Sequence, residues 1–503
     1  MPLNLSPFAD VALTSDLLAA LITDHERAVK PRLETFFRYF RNPIEPAPAG
    51  SSGGSGGRGY RLAQERGLPA RLTGFVERSA ANHQRLRREV VIENDIGWRI
   101  QAMVDFLFSR PVKLISRAAD PATAAAIERI LDAVWERSGG ASLLADIGLL
   151  GHVYGHVDLL VRSAAPAPAP ESGANEPESD PPAPTTTPRS LDALAAAAAD
   201  LVSVEVTEPT RAIPLLAPGD YRTLDAFILH YTRAARTLTA TPPTNSRSAA
   251  PTSTRATETI TELFGPHAHQ IYLDSGDGPQ LIVSEANHVS PGTPPVVHIQ
   301  NVSQPFAYSG VSEVEPLLPL QDELNIRLSE RAFRVTMQSF KMYLAKGLDG
   351  FDSRPVGPGQ MWCTDNPDAA IEAFGGEGSS PSEQAHIDEL RQAFDKQSSL
   401  PPLATGVVQA KVGNLSSENA LRLTLQGVLT RTARKQLAYG RGIASASTLI
   451  LAALDHAGLF NTSPHDRLVR VEWPDPLPAA PSAAAASARP ATPLAPTTDE
   501  GVI

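Results

Sequence analysis

The chain has 503 residues, of which 42% are hydrophobic and 20% charged, with 45 prolines and 35 glycines. That length exceeds one ordinary core and predicts two or more folded units together with sizeable unfolded tracts. A formal net charge of −11 excludes a protein that grips nucleic acid over its whole surface, because such proteins cluster Lys and Arg against phosphates, and any DNA contact is expected to be loose or local.

In chain order, the first residues, MPLNLSPFADVALTSD, lack a basic start followed by an apolar core, so no secretory signal and a cytosolic start are expected. Ser15–Phe40 has helical spacing at Leu17, Leu18, Leu21 and Ile22, with a break or kink at Pro31. A Gly/Ser run, Gly50–Gly59, reads as a flexible linker; it lacks the Lys-Ser/Thr of a phosphate-cradling loop. Glu93–Phe108 and Ala122–Arg137 read as amphipathic helices, and Ser142–Gly151 leads into VYGHVDLLVR, whose Val153, Val157, Leu159 and Val161 suit a strand. Further strands are predicted at Leu201–Val206, Ala226–Tyr231, Gln270–Leu273, Leu281–Val283 and Val296–Ile299. Between two of these, Asp274-Ser275-Gly276-Asp277-Gly278 reads as a hairpin turn, since the other ligands of a calcium loop are absent.

The second half is mainly helical. Ser312-x-x-Glu315 caps a helix with an apolar stripe at Leu317, Leu320, Leu324, Leu328 and Val335, and Pro316 and Pro319 delay its regular hydrogen bonding. Ser380-Pro381-Ser382-Glu383 starts another, with Ile387, Leu390 and Phe394 on one face. Between them KMYLAKG and GQMWCT read as strands separated by DGFDSRPVGPG, a small appendage held on two helices. Ser416–His456 reads as one helix spanning on the order of 60 Å. Its Arg422, Arg431, Arg434, Lys435 and Arg441 form either a solvated face or a surface for DNA or a neighbouring subunit.

Three tracts, Ala164–Arg189, Ala235–Thr257 and Pro478–Thr498, are too rich in Ala, Pro, Ser and Thr to bury a core, and read as two surface insertions and a tail. No window approaches 18 consecutive apolar residues, so no ordinary membrane-spanning helix and no membrane partner are expected. Cys363 is alone, which precludes a disulfide or a cysteine metal site within one chain and suits a reducing compartment. His267, His269, His288 and His298 lack a ligand-defining spacing and read as ordinary surface or strand histidines. With no GxxxxGK[ST] motif and no arguable catalytic constellation, neither ATP-driven work, nor a cofactor, nor catalysis by this chain is expected.

Particular stretches resemble the portal proteins (head-to-tail connectors) of tailed bacteriophages: ENDIGWRIQAMVDFLFSRPVKL (Glu93–Leu114), LLADIGLLGHVYGHVDLLV (Leu143–Val161), and PPVVHIQN followed by SGVSEVEPLLPLQDELN (Pro294–Asn325). In the last, Gly310, Ser312, Glu315, Gln321, Asp322 and Asn325 fall on the family's pattern. Gly413–Leu421 resembles the start of that family's long wing helix, and VEWPDPLP (Val471–Pro478) its closing strand.

The resemblance implies an α+β portal fold: a wing over 1–311 interrupted by insertions 164–189 and 235–257, a stem helix over 312–340, a small α/β clip over 341–379, a second stem helix over 380–400, a tunnel loop over 401–415, a long wing helix with closing strand over 416–477, and a disordered tail over 478–503, with the crown reduced or disordered. It implies a homo-oligomeric ring, commonly dodecameric, at one capsid vertex of the virion, assembled in the host cytoplasm. Double-stranded DNA would pass through its channel during packaging and ejection, and an acidic tunnel would keep phosphates from sticking. The implied partners are the terminase large subunit, the major capsid or scaffolding protein and a head-tail adaptor. Within the clip, Phe351, Trp362 and Phe374 are either contacts for the motor or the module's own core. In the loop Leu403–Leu415, Gln409, Lys411, Gly413 and Asn414 either project toward DNA or belong to a packed connector. Two other classes stay open, another structural virion protein such as a head-tail adaptor, and an enzyme whose site is assembled from distant residues.

Overall fold

The computed structural model describes residues 3–46, 60–69, 72, 90–164, 190–235, 257–339, 342–346, 367–368, 370–374, 381–405 and 422–477. The Thr14 hydroxyl accepts from the Leu17 N–H and starts helix α1, Ser15–Asp24. A wide π-helical turn, His25–Val29, leads into α2, Lys30–Arg41. Helical backbone angles continue from α1 into α2, so the expected break or kink at Pro31 takes the form of this wide turn just before it, in which the Lys30 N–H reaches the His25 carbonyl. Two short strands, β1 (Ile44–Pro46) and β2 (Tyr60–Leu62), pair antiparallel across the Gly/Ser run.

Side-chain caps also begin α3 (Asp95–Phe108), through Asn94, and α4 (Pro121–Arg137), through Asp120; strand β3 (Lys113–Ser116) lies between them. Helix α5 runs from Gly140 to Tyr154, and a single left-handed Gly155 separates it from β4, His156–Ser163. Val153, expected in the strand, therefore belongs to the last helical turn. LLADIGLLGHVY is apolar around most of the helix, so its periodicity does not separate helix from buried strand.

Helix α6 (Leu191–Leu201) leads into β5 (Val202–Thr207), which continues to β6 (Ala212–Ala217) and the long β7 (Asp220–Ala234). Then follow β8 (Thr257–Phe264), β9 (Ala268–Asp274), β10 (Gln280–Ala286) and β11 (Val296–Gln300). Strands β10-β9-β8-β7-β6 form one antiparallel sheet and β11-β4-β5 another. Ala234 pairs with Thr257, so the second insertion leaves and re-enters the sheet at one point. The expected turn between β9 and β10 forms, with Asp274 Oδ1 accepting from the Gly276 and Gly278 N–H groups. One face of the larger sheet packs Ile213, Ile228, Leu263 and Tyr272 against the N-terminal Leu5, Phe8, Leu13 and Leu18. The architecture is α+β, with antiparallel sheets throughout.

Ser312 Oγ accepts from the Val314 and Glu315 N–H groups and donates to the Val153 carbonyl. A 3-10 turn holding Pro316, Glu315–Leu317, then opens into α7, Leu318–Ser339. Strands β12 (Met342–Lys346) and β13 (Ala370–Phe374) pair antiparallel before α8, Pro381–Ser398. The partner of β12 is thus Ala370–Phe374, while GQMWCT lies outside the described residues. Helices α7 and α8 run antiparallel: Arg334 pairs with Glu383, Arg331 with Gln384 and Glu323 with His386. Between them Leu324 and Leu328 meet Ile387 and Phe394 in a core shared with Ile96, Ile100, Leu33 and Phe36. Val335, expected on that stripe, is half exposed.

The long helix α9 runs from Gln426 to His456. The single helix expected from Ser416 is interrupted at Leu425, whose backbone leaves helical geometry while its side chain packs with Leu400 and Val428; residues 406–421 lie outside the described residues. By length and composition alone α9 could cross a membrane, against the expectation of no such helix, yet half of that window is buried in the fold. Ile443, Ala446, Ile450 and Leu454 join Leu131, Val134, Ile147 and Leu159 in the largest core. Strand β14 (Val469–Glu472) returns to pair with β3. It ends before Trp473, whose indole packs on Phe108 at 5.4 Å instead of continuing the strand.

Helix α9 approaches β11 most closely at Gly442, where a Cβ would overlap the Ile299 side chain. Gly442→Val is expected to lower unfolding free energy by about 1–3 kcal/mol through overpacking, read as a lower urea midpoint with an unchanged slope.

Candidate functional site

The root of α7 is built from the polar residues singled out in the sequence. Gln321 Oε1 accepts from the Ile96 N–H, and Asn325 Oδ1 accepts from the Glu93 N–H while its amide donates to Gln64. Both side chains are fully buried, so they satisfy backbone donors at the start of α3 that water cannot reach. Asp322 accepts from the Tyr39 hydroxyl at 2.6 Å, and Arg32 grips Glu315 at 2.7 Å, tying α7 to α2. Gly310 and Gly155 touch backbone to backbone, which leaves no room for a Cβ at either. These motif positions clamp the helix in place.

Beside this root lies a buried charge network. Glu313, next to the capping Ser312, pairs with Lys435 at 2.7 Å and with Arg431, both on α9. Tyr439 donates to Asn301 Oδ1 at 3.0 Å, and the Asn301 amide reaches Glu313 Oε1 at 3.4 Å. Burial alone would raise the Glu313 carboxyl, but the Lys435 and Arg431 charges outweigh it and hold it down at about 2. Burial, reinforced by the Lys435 charge, lowers His152 to about 3 and keeps it neutral. The expected solvated cationic face therefore holds only in part. Lys435 is buried, Arg431 is committed to Glu313, and Arg422 pairs with Asp475, while Arg434 and Arg441 are exposed and have no ion-pair partner among the described residues.

Above this network opens a groove of about 1740 Å³, between the outward face of α9, the 301–308 loop and the β6–β7 hairpin. Arg222, Arg431, Arg434 and Arg441 line it, with Lys435 and His298, and among the described residues none that lines it is a carboxylate. In a chain of net charge −11 that is a pronounced local reversal. The volume exceeds the usual range of small-ligand pockets, roughly 300–1,000 Å³, and suits a macromolecular surface.

One wall is a rigid loop. The Gln300 amide donates to the Ala307 and Tyr308 carbonyls, and its carbonyl accepts from the Gln304 N–H. His298 Nδ1 lies 2.7 Å from Asp158 Oδ1 and its Nε2 lies 2.7 Å from the Tyr308 carbonyl, while the Tyr308 hydroxyl donates to Asp158 and its ring stacks on His298. At the apex Phe306 has φ +62° and is 87% exposed. Positive φ is uncommon for an aromatic side chain and persists only where its surroundings enforce it.

Of the other singled-out histidines, His269 meets Glu262 at 2.8 Å, His267 lies 3.7 Å from Asp10, and His288 neighbours His456. Among the described residues no three metal-ligating side chains converge. Phe374 lies on β13 opposite Met342, whereas Phe351, Trp362, Gln409, Lys411, Gly413 and Asn414 lie outside the described residues. The residues the sequence reading missed are Glu313, Asn301 and Phe306. For Glu313 a signal existed: Arg431 and Lys435 sit four apart with no acid within reach on their own helix, which calls for a carboxylate from elsewhere.

No family model and no curated protein matches the chain. Solved structures with a similar trace include a chain of the "Virion of native gene transfer agent (GTA) particle", at 12% identity over 70% of this chain and 77% of that one with a TM-score of 0.38. Another is a chain of the "Neck of empty GTA particle computed with C6 symmetry", at 12% identity over the same shares with a TM-score of 0.40.

The buried network predicts acid sensitivity. His152 and His156, the latter lowered by burial to about 4, and Glu313 all have folded values below their ordinary ones, so their stabilisation is complete above pH 6.5. It is lost as pH falls, first through the histidines and then, below 4.5, through Glu313. Melting temperature is expected to fall steadily from pH 6.5 to pH 4. Glu313→Gln should cost about 3–5 kcal/mol at neutral pH by leaving buried cations unpaired, and Lys435→Met in that background should recover part of the loss in urea denaturation.

Proposed function

We propose that this chain is the ring-forming portal subunit of a tailed-phage-like particle, the conduit for double-stranded DNA at one capsid vertex. The observation that supports it most is the arrangement of α7 and α8. The two helices run antiparallel, share one apolar seam, and carry the small β12–β13 pair between them, while their root is clamped to the α+β body. Such a pair of helices carries β12 and β13 as a stem carries a clip. Helix α9, crossing the body beside that root, takes the place of the long wing helix.

In this reading the residues do mechanical work. The ring guides DNA while a partner motor supplies force, and the acidic chain offers passing phosphates few places to bind. The module spanning 341–379, with Phe351, Trp362 and Phe374, docks the terminase motor and later the head-tail adaptor. The segment 401–415 is the tunnel loop, with Lys411 as its only charge.

Purified protein is expected to give annular particles with a central hole in electron micrographs, with a mass by light scattering of many subunits. A protein that stays monomeric at all concentrations would overturn the reading. Trp362→Ala should leave rings intact and abolish motor docking. Deleting Gln409–Gly413 should leave rings intact and impair packaging in infected cells, and normal packaging by that variant would remove the tunnel-loop role.

A further inference from the structure

No described residue fills the groove on α9, and its surface is mixed in a telling way. Arg434 and Arg441 lie two turns apart on the outward face, about 10.5 Å along the axis at 1.5 Å per residue. Between them Leu437 is 66% exposed, and Leu423, one end of the same stripe, is 71% exposed. Phe306 is held out nearby by the hydrogen-bonded 301–308 loop. A nucleic-acid backbone gives exposed leucines and a rigid aromatic nothing to pack on. A protein surface that is acidic with an apolar centre fits both features.

The same chain carries such a surface. Helix α4 presents Glu128, Asp132 and Glu136 at successive four-residue steps, a row of about 12 Å. Asp132 and Glu136 are exposed and have no cation paired to them among the described residues. Like charges at this spacing repel, a cost that an opposing cationic row removes. Burial is the main cause that raises the Asp132 carboxyl; Arg129 pulls it down, and Glu128 and Glu136 add smaller upward pushes. Helix α6, packed alongside, pairs its Asp192 and Asp200 with Arg129 and Arg137 of α4, so the unpaired acids of this face are those on α4, flanked by the apolar Leu191, which is 41% exposed. None of these residues lines the groove.

We infer that the groove receives the acidic α4–α6 face of a second copy of this chain, with Arg434 and Arg441 opposite Asp132 and Glu136 and with Phe306 and Leu437 as apolar anchors. Because the two patches differ, the contact is heterologous, and head-to-tail repetition of it closes a ring where the rotation per subunit allows. This inference rests on the ring reading above and adds to it the two surfaces that make the ring.

The test uses the full chain and charge exchange. The double variant Arg434→Glu with Arg441→Glu, and separately Asp132→Lys with Glu136→Lys, should each keep the wild-type circular dichroism spectrum and melting curve yet fail to form annuli at concentrations where wild type does. Mixed in equal amounts, the two variants should regain rings, since each reversed groove then meets a reversed face. Phe306→Ala should raise the concentration needed for assembly at least tenfold. If either charge variant keeps wild-type rings, or the mixture stays dissociated, this interface is wrong while the portal reading stands on the wild-type annuli. If the arginine variant keeps its rings but loses binding to a short DNA duplex, the groove is a nucleic-acid site and the inference is overturned. A wild type that forms no annuli would sink the ring reading itself.

Discussion

Glu313 is the point on which the structure turns. A carboxylate taken out of water is tolerated only if charge and hydrogen bonds replace its hydration, and here Lys435, Arg431 and Asn301 do so. Three parts of the molecule meet here: the long helix supplies both cations, the groove loop supplies the amide, and Glu313 itself precedes the helix α7 by a few residues. Removing any of these elements strands a buried charge. The long helix is therefore fixed against the segment that leads into α7, and the Asn301 amide joins the groove loop to the same carboxylate.

The groove follows from that commitment. Because the buried stripe of α9 includes Lys435, Tyr439, Gly442 and Ala446, helical geometry turns Arg434, Leu437 and Arg441 outward. Helix α9 commits Lys435 and Arg431 to one carboxylate, while Arg434 and Arg441 have no ion-pair partner among the described residues and lie beside the exposed Leu437. On the other wall, Gln300 and His298 fasten the loop tightly enough to keep Phe306 at an unfavourable backbone angle in solvent. There the Phe306 ring leans toward Tyr221, with ring centroids 6.0 Å apart, and is otherwise open to solvent. Acidic residues concentrated on α4 and α6 give a single chain both halves of a complementary pair.

The two low-complexity insertions fit the same economy. One spans the joint between β4 and the helix leading to β5, and the other spans Ala234 and Thr257, which are neighbours in the sheet. The second begins and ends at one place and so lengthens a loop with a closure cost that grows only logarithmically, whereas the first leaves at Ala164, beside Leu201, and resumes at Ser190, at the other end of α6. The sheets therefore keep their register whatever those segments do.

Much of the secondary structure was legible because local chemistry dictates it. Asn94, Asp120 and Ser312 cap helices by satisfying N–H groups that have no helical partner, and the alternation in β9 and β11 follows from the two-residue period of a strand. The Asp274 turn and the apolar seam of Leu324, Leu328, Ile387 and Phe394 could be read in the same way. The α5–β4 boundary could not, since a segment buried on nearly all sides shows no period, and α6, β6 and β8 escaped notice between tracts of biased composition. Nor could sequence place Glu313 against Lys435 or Arg434 in an acid-free groove, because those relations join residues more than a hundred positions apart. What sequence by itself determined were the short-range features: caps, turns, helix faces and the order of the parts. Which cation is buried and which is left free was decided only by tertiary packing, because a charge's surroundings are set by what the fold brings to it.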